Sequence, residues 1–195
     1  MYAFARFIFW VSLKLLFRFN VKGKENVPSA GGFILAGNHV SYLDPIVFGV
    51  ACPRKLNYMA RDTLFRNPFA AWLLRHVNVF PLKRNSADLG AIKEALRRLR
   101  SGGGILLFPE GTRSVDGEVQ EGLEGVGFLA RKSALPVVPM FIRGTQAALP
   151  KKAQWIKLTK IEVVFGPAML FPKEGDFSDR QITEAIMQHI VSLKT

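Results

Sequence analysis

Short unbroken apolar runs alternate along this chain with stretches that are apolar on one helical face only. Residues 33–36, 105–108 and 137–142 carry no charged or amide side chain at any alternate position. A strand open to water on one side reads apolar-polar-apolar, so an unbroken run predicts a strand covered on both faces. Further strand signals fall at 55–60, 77–82 and 160–165. Between them lie helical patterns. Asp44-Pro45 reads as N-cap and first helical residue of a helix running toward Pro53. A second helix is predicted over 63–76. A third begins near Ser86, with Leu89, Ile92, Leu96 and Leu99 on its apolar face, and stops at Gly102-Gly103-Gly104. A fourth spans 122–133 despite its glycines. The last is capped by Ser178 and presents Ile182, Ile186, Ile190 and Leu193. Strands and helices in alternation predict an α/β fold with a largely parallel central sheet flanked by helices. A length of 195 residues fits one such domain.

The first 19 residues stand apart from this alternation. They are rich in Phe and Leu, and are interrupted by Arg6, Lys14 and Arg18. A membrane-spanning helix needs about 20 mostly apolar residues, and no small-residue cleavage site follows Phe19 as a signal peptide requires. At ~100° per residue the three cations fall within about a third of the helix circumference. The pattern predicts an N-terminal amphipathic helix lying in a membrane interface, with the remaining domain at 20–195. A second basic stretch holds Arg143, Lys151, Lys152, Lys157 and Lys160 around Trp155 and Ile156. It fits either a solvated loop or a surface that touches lipid headgroups.

The whole chain has 27 Lys+Arg against 15 Asp+Glu, a net charge of +12. Such a surplus predicts an anionic partner. The basic residues sit beside apolar segments, whereas nucleic-acid binders interleave them with aromatics on a recognition element. That favours anionic lipid or an acidic protein and no nucleic acid. The single Cys52 precludes an internal disulfide, fits a reducing compartment and is assigned no chemistry. The three histidines, His39, His76 and His189, form no pair at metal-ligand spacing, so no metal is expected.

Two motifs lie just after strand signals, where α/β proteins place ligands. Asn38-His39-Val40-Ser41-Tyr42-Leu43-Asp44 gives a histidine a carboxylate five residues on. Such a carboxylate fixes the imidazole tautomer and stabilises the imidazolium formed when the ring accepts a proton. Taken alone, the pair also fits a structural histidine beside a helix cap. Phe108-Pro109-Glu110-Gly111-Thr112-Arg113 adds an acid, a glycine, a hydroxyl and an arginine in one loop. Arg113 can grip a phosphate with two prongs, and Gly111 lets backbone approach a ligand closely. Alone, this loop also fits a surface turn with an ion pair.

Together these blocks resemble the glycerolipid acyltransferase family, specifically the bacterial 1-acyl-sn-glycerol-3-phosphate acyltransferases. Val79-Phe80-Pro81-Leu82-Lys83-Arg84 and Leu135-Pro136-Val137-Val138-Pro139 continue the likeness, so four blocks occur in order. The resemblance implies an acyl transfer to the free sn-2 hydroxyl of lysophosphatidic acid. His39 would be the general base and Asp44 its orienting partner. Asn38, Lys83, Arg84, Glu110, Gly111, Thr112 and Arg113 would bind substrate, and Val138 and Pro139 would help form the floor of the site. No cofactor is implied, the donor being an acyl-carrier-protein or coenzyme A thioester. The expected location is the cytoplasmic face of the cell membrane. Two positions depart from the family pattern: Asn78 stands where glycine is frequent, and Leu123 where a basic residue is common.

The same motifs leave room for another acceptor: a different lysophospholipid, glycerol 3-phosphate or an aminolipid. A metal-dependent hydrolase built on His39, Asp44 and Glu110 lacks ligand spacing. A non-catalytic membrane-binding module leaves both motifs without a purpose.

Overall fold

The computed structural model describes residues 2–83, 88–150, 153 and 155–194. Among these, seven strands form one sheet: β1 (Asn20–Lys22), β2 (Phe33–Gly37), β3 (Leu56–Arg61), β4 (Val79–Leu82), β5 (Gly104–Leu107), β6 (Val137–Arg143) and β7 (Glu162–Phe165). Their order across the sheet is β1-β7-β6-β2-β5-β3-β4. The five strands from β6 to β4 are mutually parallel. β7 runs antiparallel to β6, and β1 pairs parallel with β7 at the edge.

The unbroken apolar runs are explained by the two-sided cover. Phe33 and Leu35 of β2 join one core cluster, while Ile34 and Ala36 join the other. Helices α1 (Tyr2–Phe17) and α2 (Asp44–Ala51) supply the first cluster with Leu13, Phe17, Val47 and Phe48. Helices α4 (Leu89–Arg100), α5 (Gly125–Ser133) and α7 (Asp179–Ser192) supply the second with Leu96, Leu99, Leu129 and Ile186. Helix α3 (Pro68–His76) packs beside β4, and a short α6 (Thr145–Ala148) follows β6.

Several elements differ in detail from their sequence patterns. The 63–76 helix divides into a 3-10 turn over Asp62–Phe65 and α3, because Asn67 caps a new helix whose first residue is Pro68. Leu89 is exposed, since α4 starts there and only its later turns reach the sheet. Asp88 caps α4 through the Ala91 N–H, and the expected start at Ser86 lies outside the described residues. Helix α5 carries Gly127 because α7 crosses it closely there. A Cβ on Gly127 would stand 1.9 Å from the carbonyl oxygen of Asp179. The frequent-glycine position is also explained: Asn78 adopts φ +63, a left-handed conformation that asparagine supports almost as glycine does.

The N-terminal helix is more firmly attached than the sequence pattern implies. Leu13, Phe17 and Phe19 are buried in the first core cluster, and the Phe17 carbonyl accepts from the Ile161 N–H. A division at residue 19 therefore runs through the core. Arg18 leaves the helix with φ +45, and Arg6 reaches the Pro53 carbonyl at 3.4 Å. The cations thus do not form the single stripe predicted. Phe4, Phe7, Ile8, Trp10, Leu15 and Leu16 remain exposed. Among the described residues no helix is long and apolar enough to cross a membrane.

Candidate active site

The site is set by register. β2 and β5 are parallel neighbours, with Ala36 opposite Leu107. Three residues beyond each partner come His39 and Glu110, so the two loops leave the sheet side by side. The chain then departs to opposite faces, through α2 on one side and toward α5 on the other. Adjacent parallel strands whose connections diverge open a crevice at their carboxyl ends.

Asp44 is the centre of the first loop. Its Oδ2 accepts from the backbone N–H groups of Val40 and Ser41, each at 2.7 Å. The same oxygen lies 2.8 Å from His39 Nδ1. Asp44 is therefore no N-cap in the ordinary sense: Leu43 holds that place, and Asp44 is already helical. Its carboxylate points back into the loop and closes it around the imidazole. With an acid on Nδ1, the Nδ1–H tautomer is favoured and the lone pair falls on Nε2. Among the described residues Nε2 has no hydrogen-bond partner. The Phe108 ring stacks on the imidazole, centroids 3.9 Å apart and planes 17° apart, which fixes the ring's tilt.

The second loop holds the first in place. Glu110 is buried, and its Oε1 accepts from the His39 N–H at 2.8 Å. Its Oε2 accepts from the Gln120 N–H at 3.1 Å. Burial raises the Glu110 pKa above its ordinary value, making it a weaker acid, and these two N–H groups partly oppose that rise. The Ser114 N–H donates to the His39 carbonyl at 2.8 Å. Glu110 thus grips the backbone that carries His39, whereas the sequence reading gave it to substrate. Asn38 shows the same reassignment. At 1% exposure, it donates to and accepts from the backbone of Ile142, at 3.0 and 2.8 Å. It clips the end of β2 to β6, and its buried amide offers no open face to a ligand.

Arg113 has the opposite character. Its guanidinium carbon lies 3.4 Å from the centroid of the exposed Tyr42 ring. Its Nη1 is buried and has no hydrogen-bond partner. A guanidinium held flat by an aromatic, with a donor unused, is set for an anion. Gly111 takes φ +66, and a Cβ there would meet Leu123 Cδ1 at 2.5 Å. Leu123 therefore packs over the loop as an apolar cover, with no cation at that position. Thr112 is exposed beside it. Lys83 is exposed at the end of β4, on the same edge of the sheet but beyond β3, and its N–H donates to Asp88 Oδ2. Arg84 lies outside the described residues. Val138 and Pro139 are buried in β6 opposite Leu35 and Ala36, beneath the crevice.

Sequence reasoning did not single out Phe108, Tyr42, Ser114 or Gln120. Phe108 and Tyr42 lie inside the two motifs, but only the pairing of β2 with β5 reveals what they touch. Among the described residues no group of three or more His, Cys, Asp or Glu side chains is arranged to hold a metal ion.

The chain has relatives in both sequence and fold. The acyltransferase family model matches residues 18–143, and the chain belongs to that family. Among curated relatives, the 1-acyl-sn-glycerol-3-phosphate acyltransferase of Bacillus subtilis is 28% identical, over 100% of this chain and 97% of its own length. The Pseudomonas aeruginosa protein of the same description is 31% identical, over 87% of this chain and 66% of its own. The chloroplast protein of Arabidopsis thaliana is 29% identical over 75% of this chain, which spans only 42% of that relative. In fold, the chain resembles the crystal structure of the Thermotoga maritima 1-acyl-sn-glycerophosphate acyltransferase PlsC. The TM-score is 0.84 at 24% identity, covering 97% of this chain and 77% of that one.

Proposed function

We propose that the protein transfers an acyl group from a thioester to the sn-2 hydroxyl of lysophosphatidic acid, giving phosphatidic acid. The observation that carries this reading is the pairing of His39 Nδ1 with Asp44 while Nε2 is left open, next to an Arg113 with an unused donor. The curated relatives described as acting on 1-acyl-sn-glycerol 3-phosphate support the choice of acceptor.

In this mechanism Nε2 takes the proton of the acceptor hydroxyl as its oxygen attacks the thioester carbonyl. Asp44 stabilises the imidazolium through Nδ1–H. The tetrahedral intermediate collapses with cleavage of the C–S bond. The imidazolium returns its proton to the departing thiolate, so ester and free thiol form and the enzyme is restored. The chain supplies no nucleophile of its own, because the acceptor hydroxyl takes that part. Arg113 binds the acceptor phosphate, with Gly111 and Thr112 alongside and Lys83 and Arg84 adding positive field. Asn38 and Glu110 act through the backbone they hold.

The exposed apolar side of α1 lies on a membrane surface, on the cytoplasmic leaflet, and the +12 charge draws the protein to anionic lipid. An acidic carrier protein or coenzyme A delivers the acyl chain. The test is an assay of purified protein with lysophosphatidic acid, other lysophospholipids and glycerol 3-phosphate, against both donor types. Lysophosphatidic acid is expected to be the preferred acceptor, and His39→Ala to remove turnover without unfolding. A folded His39→Ala protein with near-normal turnover overturns the general-base assignment.

A further inference from the structure

We infer that α3 and the turn before it form a second membrane-docking element, which seats against anionic lipid alongside α1. This rests on the membrane reading of α1 given above and extends it to a segment in which the sequence signalled no lipid contact.

Helix α3 is only nine residues long and uses one narrow side for the core. Ala71 is its single buried residue. Phe69, Trp72 and Leu73 recur at i, i+3 and i+4 on the opposite side, exposed by 71%, 46% and 42%. Leu64 in the preceding turn is exposed by 54%. The Phe69 and Trp72 rings stack at 6.0 Å, and Trp72 meets the His76 ring at 4.4 Å. The stripe is therefore ordered against itself and, among the described residues, left uncovered. Scattered exposed apolar residues are ordinary, whereas an aromatic stripe on a capped helix marks a contact surface.

The charges identify the occupant. Arg61, Arg66 and Arg75 are exposed around the stripe, and Asp62 is the one acid between 61 and 76. Aromatic rings bordered by arginines match the headgroup zone of an anionic bilayer, with rings at the interface and cations among phosphates. Position agrees with composition. The β2–β3 and β3–β4 crossovers step the same way across the sheet. The right-handed rule then places α3 on the side of the sheet that α2 covers. Helix α1 packs on α2, so α1 and α3 lie on the same side of the sheet. Two separated contacts would fix the tilt of the domain and turn the crevice at the ends of β2 and β5 to a constant angle with the bilayer.

The three tryptophans report the three candidate surfaces separately: Trp10 on α1, Trp72 on α3 and Trp155 after α6. Single-tryptophan proteins, each with the other two positions changed to Phe, are mixed with vesicles of equal parts phosphatidylcholine and phosphatidylglycerol. A fraction of the lipid is brominated near the headgroup. Trp72 emission should shift to the blue and be quenched, with loss of both effects in high salt. Quenching of Trp10 with none of Trp72 overturns the α3 inference and leaves the α1 reading intact. Quenching of neither overturns both. In a second experiment, Phe69→Ser with Leu73→Ser should weaken vesicle partition at least about tenfold, two large side chains being withdrawn from the interface. Turnover on detergent-dispersed lysophosphatidic acid should be unchanged. If instead partition holds and the dependence on an acidic carrier-protein thioester weakens, α3 docks the donor protein and the lipid assignment is wrong.

Discussion

Asp44 offers a separation of folding from chemistry that two substitutions can measure. Its Oδ2 is the common acceptor for the Val40 and Ser41 N–H groups and for His39 Nδ1. Val40, Ser41 and Asp44 are all buried. Asp44→Ala leaves two backbone donors without partners, at roughly 1–3 kcal/mol each, so a loss of about 2–6 kcal/mol is expected. Asp44→Asn keeps an oxygen that can face the same donors. It changes bonds to a charged acceptor into bonds to a neutral one, costing about 1–3 kcal/mol in all. Chemistry should respond differently. A neutral amide no longer stabilises the imidazolium, and turnover should fall by roughly 10²–10⁴. Denaturant unfolding monitored by fluorescence, together with turnover on lysophosphatidic acid, reads both quantities. The expected pattern is a folded, nearly inactive Asn variant and a markedly less stable Ala variant. A folded Asn variant with near-normal turnover refutes the dyad. An Ala variant as stable as the Asn one refutes the loop-closing role.

Arg113→Lys keeps the charge but not the flat stacking on Tyr42, so the acceptor KM should rise about tenfold with kcat changed by less than about twofold. An unaltered KM for lysophosphatidic acid would remove the phosphate assignment. Gly127→Ala places a Cβ against the Asp179 carbonyl and 2.7 Å from Thr183 Oγ1. It should destabilise the α5–α7 contact by about 3 kcal/mol, read as a drop in the denaturant midpoint. A change below about 0.5 kcal/mol would mean that the helices part more easily than this packing implies. The Cys52 thiol is pushed up from 9.0 to about 11, chiefly by burial. Its contribution to stability is present below the unfolded value and is lost as pH rises through the folded one. Labelling by a disulfide reagent at pH 8 should therefore follow global unfolding, and rapid labelling of native protein would contradict its burial.

Much of the sheet was legible because strands covered on both faces must be apolar at every position. Phe33–Gly37, Gly104–Leu107 and Val137–Arg143 announce themselves in this way. The three-residue β1 carries no such signal: Asn20-Val21-Lys22 becomes a strand by pairing with β7 across 142 residues of chain, with Asn20 opposite Glu162. The glycines of α5 argue against a helix locally, and only the approach of α7 gives Gly127 a reason. The N-terminal stretch reads as a separate amphipathic unit until Leu13, Phe17 and Phe19 are found in the core.

By itself, the sequence determined the alternating architecture, the motif residues and the positive charge, because these depend on residue type and short-range order. Tertiary structure alone decided what each motif residue does. Equal offsets beyond a paired register bring Glu110 to the His39 backbone, and the neighbouring strand turns Asn38 into a clip. Both residues look like ligands in one dimension and act as braces in three. A side chain's role depends on which of its polar atoms remain unpaired, and pairing across the sheet is what assigns them. Arg113 keeps an unused donor where Glu110 and Asn38 do not, and that difference is the ground for proposing it as the phosphate ligand.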